Sequence, residues 1–172
     1  MNDVIKAMCD RRSIRAYRQD EVPRVLIEQV IEAGLWAASG MGRQSPIILA
    51  ITDRALRDTL AAANAKVMGA DTDPFYGAPV VLVVLAPRDV PTHVYDGSLV
   101  MGNLMLAAST VGLGSCWIHR AKETFELPEF KQVLSELGVD GDYEGIGNCI
   151  LGWPAEEPEP KPRRDGRVVW AS

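Results

Sequence analysis

Residues 96–118 read DGSLVMGNLMLAASTVGLGSCWI. After Asp96 the stretch 96–111 carries no charge and no proline, and apolar residues fall on nearly every side of a 3.6-residue period. The spacing predicts a helix over 96–111, apolar almost all round and therefore buried. Gly102, Ala107, Ala108 and Ser109 are small enough to let another helix approach closely. Gly112 supplies a helix stop, and 114–118 reads as a short strand.

Working outward, 80–85 is a continuous aliphatic run, the pattern of a strand covered on both faces. Before it, 69–79 is a turn-rich loop carrying Phe75 and Tyr76. Asp53 is placed to cap a helix running to about residue 68, and 47–52 reads as a buried strand. Pro23 opens a helix in which Val25, Leu26, Val30, Ala33 and Ala37 recur at three- and four-residue spacing, and residues 38–46 break it. A short helix is expected over 4–9. Toward the C-terminus, 127–137 is an amphipathic helix and 143–151 the last core strand, interrupted by Gly145 and Gly147.

A hydrophobic content of 47% against 24% charged residues is that of a globular chain, and 172 residues suffice for one domain with a real core. The net charge of −5 and the lack of a basic stripe argue against a nucleic-acid groove. No apolar run approaches the roughly 18 residues of a membrane span. The polar opening Met1-Asn2-Asp3 is not a signal peptide, and three distant cysteines (Cys9, Cys116, Cys149) suggest reduced thiols and a cytoplasmic protein. Two histidines without a CxxC or HxxxH offer no protein-built metal site, so redox chemistry would need an organic cofactor.

Residues 153–164 contain Pro154, Pro158, Pro160 and Pro162. Nine such residues in polyproline II geometry reach roughly 28 Å. Beyond them Arg167-Val168-Val169-Trp170 reads as a strand that must add to a sheet edge, on its own subunit or on a partner. The expected unit is a single domain, 1–172, whose residues 154–172 form an arm and terminal strand.

Four constellations could do chemistry. In an extended Arg11-Arg12-Ser13-Ile14-Arg15, the side chains of Arg11, Ser13 and Arg15 share one face and make a small anion clamp. Equally, arginines after a short helix complement its C-terminal dipole. Lys161, Arg163 and Arg164 form the other tight basic cluster, read either as a solvated patch or as the opposite jaw for one phosphate. The loop Ser39-Gly40-Met41-Gly42-Arg43-Gln44 allows close backbone approach to a ligand, or merely joins helix to strand. Cys116 and His119 could be a nucleophile and base, but three positions apart in a strand they face opposite ways, and a buried structural thiol is commoner.

Taken in order, RRSIRAY, AASGMGRQSP, FYGAPVVLVV, DGSLVMGNLMLAA with GLGSCWI, and LGWPAEEPEPKPRR with GRVVW resemble the FMN-dependent nitroreductase-like oxidoreductases over nearly the whole chain. The resemblance implies an α+β sandwich, a mixed, mainly antiparallel sheet flanked by helices. It implies a homodimer with the C-terminal arm and strand exchanged and FMN at the interface. It makes Arg11, Ser13 and Arg15 the first half of an FMN phosphate clamp, to which Arg12 adds backbone or side-chain contacts, with Lys161 and Arg163 the second. It sets Ser39, Gly40, Arg43 and Gln44 along the isoalloxazine and ribityl chain from the partner subunit, and Asn64 at the flavin pyrimidine. Ile118, His119 and Arg120 would lay backbone against the flavin, with an N–H near N5. Gly42 and Ser45-Pro46 depart from the Asn and Pro-Trp that many relatives carry in the first loop. The implied activity is NADH- or NADPH-driven two-electron reduction of a nitroaromatic, quinone or similar small conjugated acceptor, with no side chain as nucleophile. The alternative is a flavin-binding or flavin-modifying protein without reductase turnover.

Overall fold

A computed structural model describes residues 1–171; Ser172, the last residue of the expected arm, lies outside them. In chain order the elements are α1 (Asp3–Asp10), α2 (Arg24–Leu35), β1 (Ile47–Ile51), α3 (Arg54–Met68), β2 (Val80–Pro87), α4 (His93–Thr110), β3 (Gly114–Ile118), α5 (Ala121–Phe125), α6 (Pro128–Glu136) and β4 (Tyr143–Gly152). The strands form one sheet in the order β1-β2-β4-β3, every pair antiparallel. The parallel component is an isolated bridge between Ser13 and Ser115.

The aliphatic run in β2 is explained by two cores. Val81, Val83 and Leu85 pack on one face with Leu60 of α3, Phe125 of α5 and Phe130 of α6. Val80, Leu82 and Val84 pack on the other with Val30 of α2 and Met101 and Leu104 of α4. A strand buried on both sides has no polar face to alternate with. Asp53 caps α3 by accepting from the Leu56 N–H at 2.8 Å, and Gly69 closes it in the left-handed conformation (φ 72°). Gly145 and Gly147 mark a shift of register, where Val84 faces Gly147 and Leu85 faces Gly145. A Cβ on Gly145 would lie 2.3 Å from the Ala121 carbonyl oxygen, so this glycine lets α5 sit directly on β4.

Three expectations need correction. The long helix begins at His93, three residues before 96, and it is not buried all round: Val94, Tyr95 and Leu99 are exposed. Among the described residues no other element of the chain covers this face of α4. The five-residue α5 was not expected, because it is too short to display a period. Residues 167–170 lie in no strand, and Val168, Val169 and Trp170 are exposed. The arm does not return to its own sheet edge. No helix among the described residues is long and apolar enough to cross a membrane.

Candidate cofactor site

The segment after α1 is laid against β3. Ile14 N–H donates to the Ser115 carbonyl at 2.9 Å, and Ile14 and Tyr17 turn inward, with the Tyr17 hydroxyl on the Ile14 carbonyl at 2.7 Å. Burying Ile14 leaves its neighbours on the other side of an extended chain. Arg11 has its Nη1 buried with no hydrogen-bond partner. A buried guanidinium nitrogen without an acceptor is costly, and an anionic oxygen is the kind of acceptor that could satisfy it. Arg12 behaves differently. Its Nη1 donates to the carbonyls of Cys9 and Arg11 at 2.7 and 2.9 Å, capping the C-terminus of α1 as helix-end charge does. The base of the arm runs back along 15–18: Arg18 N–H to Trp153 O, Ala155 N–H to Ala16 O, and the Glu156 carboxylate accepting the Arg15 N–H.

Beside this segment lies a cleft of about 220 Å³ lined by Arg15, Tyr76, Cys116, Ile118, His119 and Arg120 among others. Cys116 is 2% exposed. Burial pushes its thiol pKa up, only partly opposed by Arg15, Ser13 and Arg11, so it stays a protonated thiol while His119 faces solvent. This is the structural cysteine, not a nucleophile with its base. Behind the cleft, Asn64 is fully buried; its Nδ2 donates to the His119 carbonyl at 2.9 Å and its Oδ1 accepts from Arg120 Nε at 3.1 Å. Asn64 therefore acts on the His119–Arg120 turn. The facing wall, 69–79, is held by Arg57, which is 7% exposed. Arg57 donates to Ala78 O at 3.0 Å and Asp73 Oδ2 at 2.6 Å, and its guanidinium lies 5.5 Å from the Phe75 ring centroid. Burial pushes the Asp73 carboxyl up, but hydrogen bonds from Arg57 and the N–H groups of Phe75 and Gly77 outweigh it and leave the pKa low.

The loop at Ser39–Gln44 is built by different contacts. Gln44 N–H donates to Ser39 Oγ and Gly40 N–H to Asp96 Oδ1, both at 2.9 Å, while Thr92 Oγ1 donates to Asp96 Oδ2 at 2.7 Å. A Cβ on Gly40 would meet Thr92 Oγ1 at 2.4 Å. Arg43 is exposed, and Gln44 takes a left-handed φ of 52°. Ser39 and Gln44 line a separate hollow of about 150 Å³ that shares no lining residue with the first cleft. Lys161 and Arg163 are exposed and make no ion pair among the described residues.

One chain thus gathers Arg15, Ile118, His119 and Arg120 along the cleft, with Asn64 behind them and Arg11 and Ser13 near Cys116 in the same segment as Arg15. It leaves Ser39, Gly40, Arg43, Gln44, Lys161 and Arg163 elsewhere. The sequence reading overlooked Asp96, Arg57, Glu156 and Asn148. Asn148 did carry a signal, standing between Ile146 and the apolar run Cys149-Ile150-Leu151.

A model of the nitroreductase family matches residues 9–153. The oxygen-insensitive NADPH nitroreductase of Salmonella typhimurium is 30% identical over 181 residues, covering 98% of this chain and 73% of the relative. The NADPH-flavin oxidoreductase of Vibrio harveyi is 29% identical over 180 residues, with the same coverage of 98% and 73%. Among solved structures, a nitroreductase with bound FMN from Bacteroides fragilis superposes at a TM-score of 0.90 over 100% of both chains, with 26% identity. A second, from Desulfitobacterium hafniense, superposes at 0.88 with 21% identity, a likeness of fold. The chain is therefore a member of the nitroreductase family.

Proposed function

We propose that the protein is an FMN-dependent NAD(P)H oxidoreductase that reduces a small conjugated acceptor, a nitroaromatic or a quinone, by two electrons and works as a homodimer. The observation that carries this is Arg11 Nη1, buried and unpartnered in the same short segment as Ser13 and Arg15, of which Arg15 lines the cleft. That donor set fits the phosphate of a flavin mononucleotide: planar nitrogen donors and a hydroxyl for anionic oxygens. Bound FMN would supply hydride chemistry at N5.

The protein's own part is to bind and orient. Arg11, Ser13 and Arg15 hold the phosphate end, and Arg12 contributes indirectly by fixing the end of α1 from which Arg11 leaves. Ile118, His119 and Arg120 offer a rigid backbone edge, backed by Asn64. Arg120 beside the cleft favours anionic charge in a bound ring. The remaining residues of the expected site come from the second subunit. Ser39, Gly40, Arg43 and Gln44 border the ring system across the interface, and Lys161 and Arg163 close the phosphate clamp. Support for the dimer is the bare face of α4, the exposed Val4, Ile5 and Met8 of α1, and the unpaired apolar end of the arm. Buried together, these surfaces suit an obligate interface.

The test is a panel of nicotinamides and acceptors on FMN-loaded protein. Turnover with NADH or NADPH and a nitroaromatic or quinone is expected. Bound FMN that neither nicotinamide reduces would favour a flavin-binding protein without reductase turnover.

A further inference from the structure

Ile118 and His119 give their carbonyls to two buried asparagines on different elements. Asn148 of β4 donates from Nδ2 to Ile118 O at 3.3 Å, and Asn64 of α3 donates from Nδ2 to His119 O at 2.9 Å. Both asparagines are 0% exposed. A trans peptide holds its N–H opposite its C=O. Drawing two successive carbonyls inward therefore turns two successive N–H groups, those of His119 and Arg120, away from the asparagines. His119 and Arg120 line the cleft with Arg15. Among the described residues neither N–H donates to another group. Arg120 adopts a left-handed φ of 70°, unusual for a side chain with a Cβ, and its Nε is held by Asn64.

Asn148 is hard to explain as packing. It pairs with Ile118 in the sheet and precedes Cys149, Ile150 and Leu151, all fully buried. An aliphatic residue would suit that position, whereas Asn148 keeps Oδ1 buried without a partner. We propose that Asn148 is a positioning residue that, together with Asn64, aims the His119 and Arg120 N–H groups into the cleft as a paired donor for an acceptor atom on the edge of the flavin ring. This rests on the FMN reading above. The two asparagines act through the peptide and do not touch the ligand.

The experiment follows the His119 and Arg120 amide resonances of the full chain by nitrogen-15 NMR while FMN is added, in wild type, Asn148→Leu and Asn148→Thr. In wild type the two amides are expected to shift on FMN binding. In both variants the shifts should shrink and the FMN dissociation constant rise about tenfold, the loss of a hydrogen bond. The melting temperature of Asn148→Leu should change little, because removing the unpaired Oδ1 offsets the loss of the donor to the Ile118 carbonyl. A residue serving stability alone would show the reverse, a lower melting temperature with FMN affinity intact, and that result overturns the proposal. FMN binding in wild type without movement of these two amides overturns it as well and leaves the cofactor reading standing. A wild-type protein that binds no FMN removes the cofactor reading, and this proposal with it. Should Asn148→Leu fail to fold, Asn148→Thr and the wild-type titration decide.

Discussion

Gly102 discriminates between a lone chain and a dimer built on α4. It is exposed, has an ordinary helical φ, and a Cβ built on it meets nothing within 4 Å. It falls on the same side of the helix as Tyr95, Ser98 and Leu99, at three-, four- and seven-residue spacing. In an isolated chain Gly102→Leu should be favourable, since glycine inside a helix is worse than a good helix former by about 0.5–1 kcal/mol. If α4 faces its symmetry mate, the same leucine intrudes into a packed interface, and overpacking costs roughly 1–3 kcal/mol per site. An isologous interface contains the site twice, so the dimer loses about 2–6 kcal/mol. At about 1.4 kcal/mol per factor of ten, the dimer dissociation constant rises at least about thirtyfold. Sedimentation equilibrium over a dilution series measures it directly, with thermal melts at two protein concentrations alongside. The predicted result is a weaker dimer and a melting temperature that falls on dilution. A leucine variant that dimerises as well as wild type and melts higher at every concentration would refute the placement of α4 at the interface.

Other outcomes follow from the same geometry. Arg11→Ala and Arg163→Ala should each weaken FMN binding by about 1.5–3 kcal/mol, the range for hydrogen bonds to a charged group, read by fluorescence titration; unchanged affinity in either contradicts its place in the clamp. Gly145→Ala should destabilise the fold by at least about 2 kcal/mol in chemical denaturation, because its Cβ would press on the Ala121 carbonyl and push α5 off β4. The Asp73 carboxyl titrates below its ordinary value in the folded chain, so its contribution is present above about pH 4 and lost as pH falls through the folded pKa. Hydrogen exchange at the Phe75 and Gly77 amides, which Asp73 accepts, should accelerate in that acid range. Arg57→Met should move the acceleration to higher pH, since burial then acts on Asp73 with less opposition.

Much of this architecture is visible in residue order because the signals are local. The aliphatic run of β2 and the Asp53 and Gly69 caps of α3 each depend on neighbours within a turn or a strand. The bounds of α3 and β3 agree with the sequence reading for the same reason. What was not legible depends on contacts far apart in the chain. The apolar surface of α4 announced burial, but periodicity does not say which part this chain covers and which it leaves bare. The arm carries strand-forming residues, yet a strand exists only where an edge receives it. At the site, the basic cluster is legible in residue order, while only the structure separates Arg11, whose Nη1 is buried without a partner, from Arg12, which caps the end of α1. The roles of Asn148 and Asp96 are not legible in residue order, because a buried polar residue shows its purpose only when its partners, Ile118 and Gly40, are known.

Every role proposed above depends on the chain holding FMN and accepting electrons from a nicotinamide. The most direct measurement is anaerobic visible absorbance of the purified protein reconstituted with FMN, before and after NADH or NADPH is added. The expected result is a yellow protein with stoichiometric flavin that survives gel filtration and is bleached by a nicotinamide. A protein that stays colourless after reconstitution would contradict it.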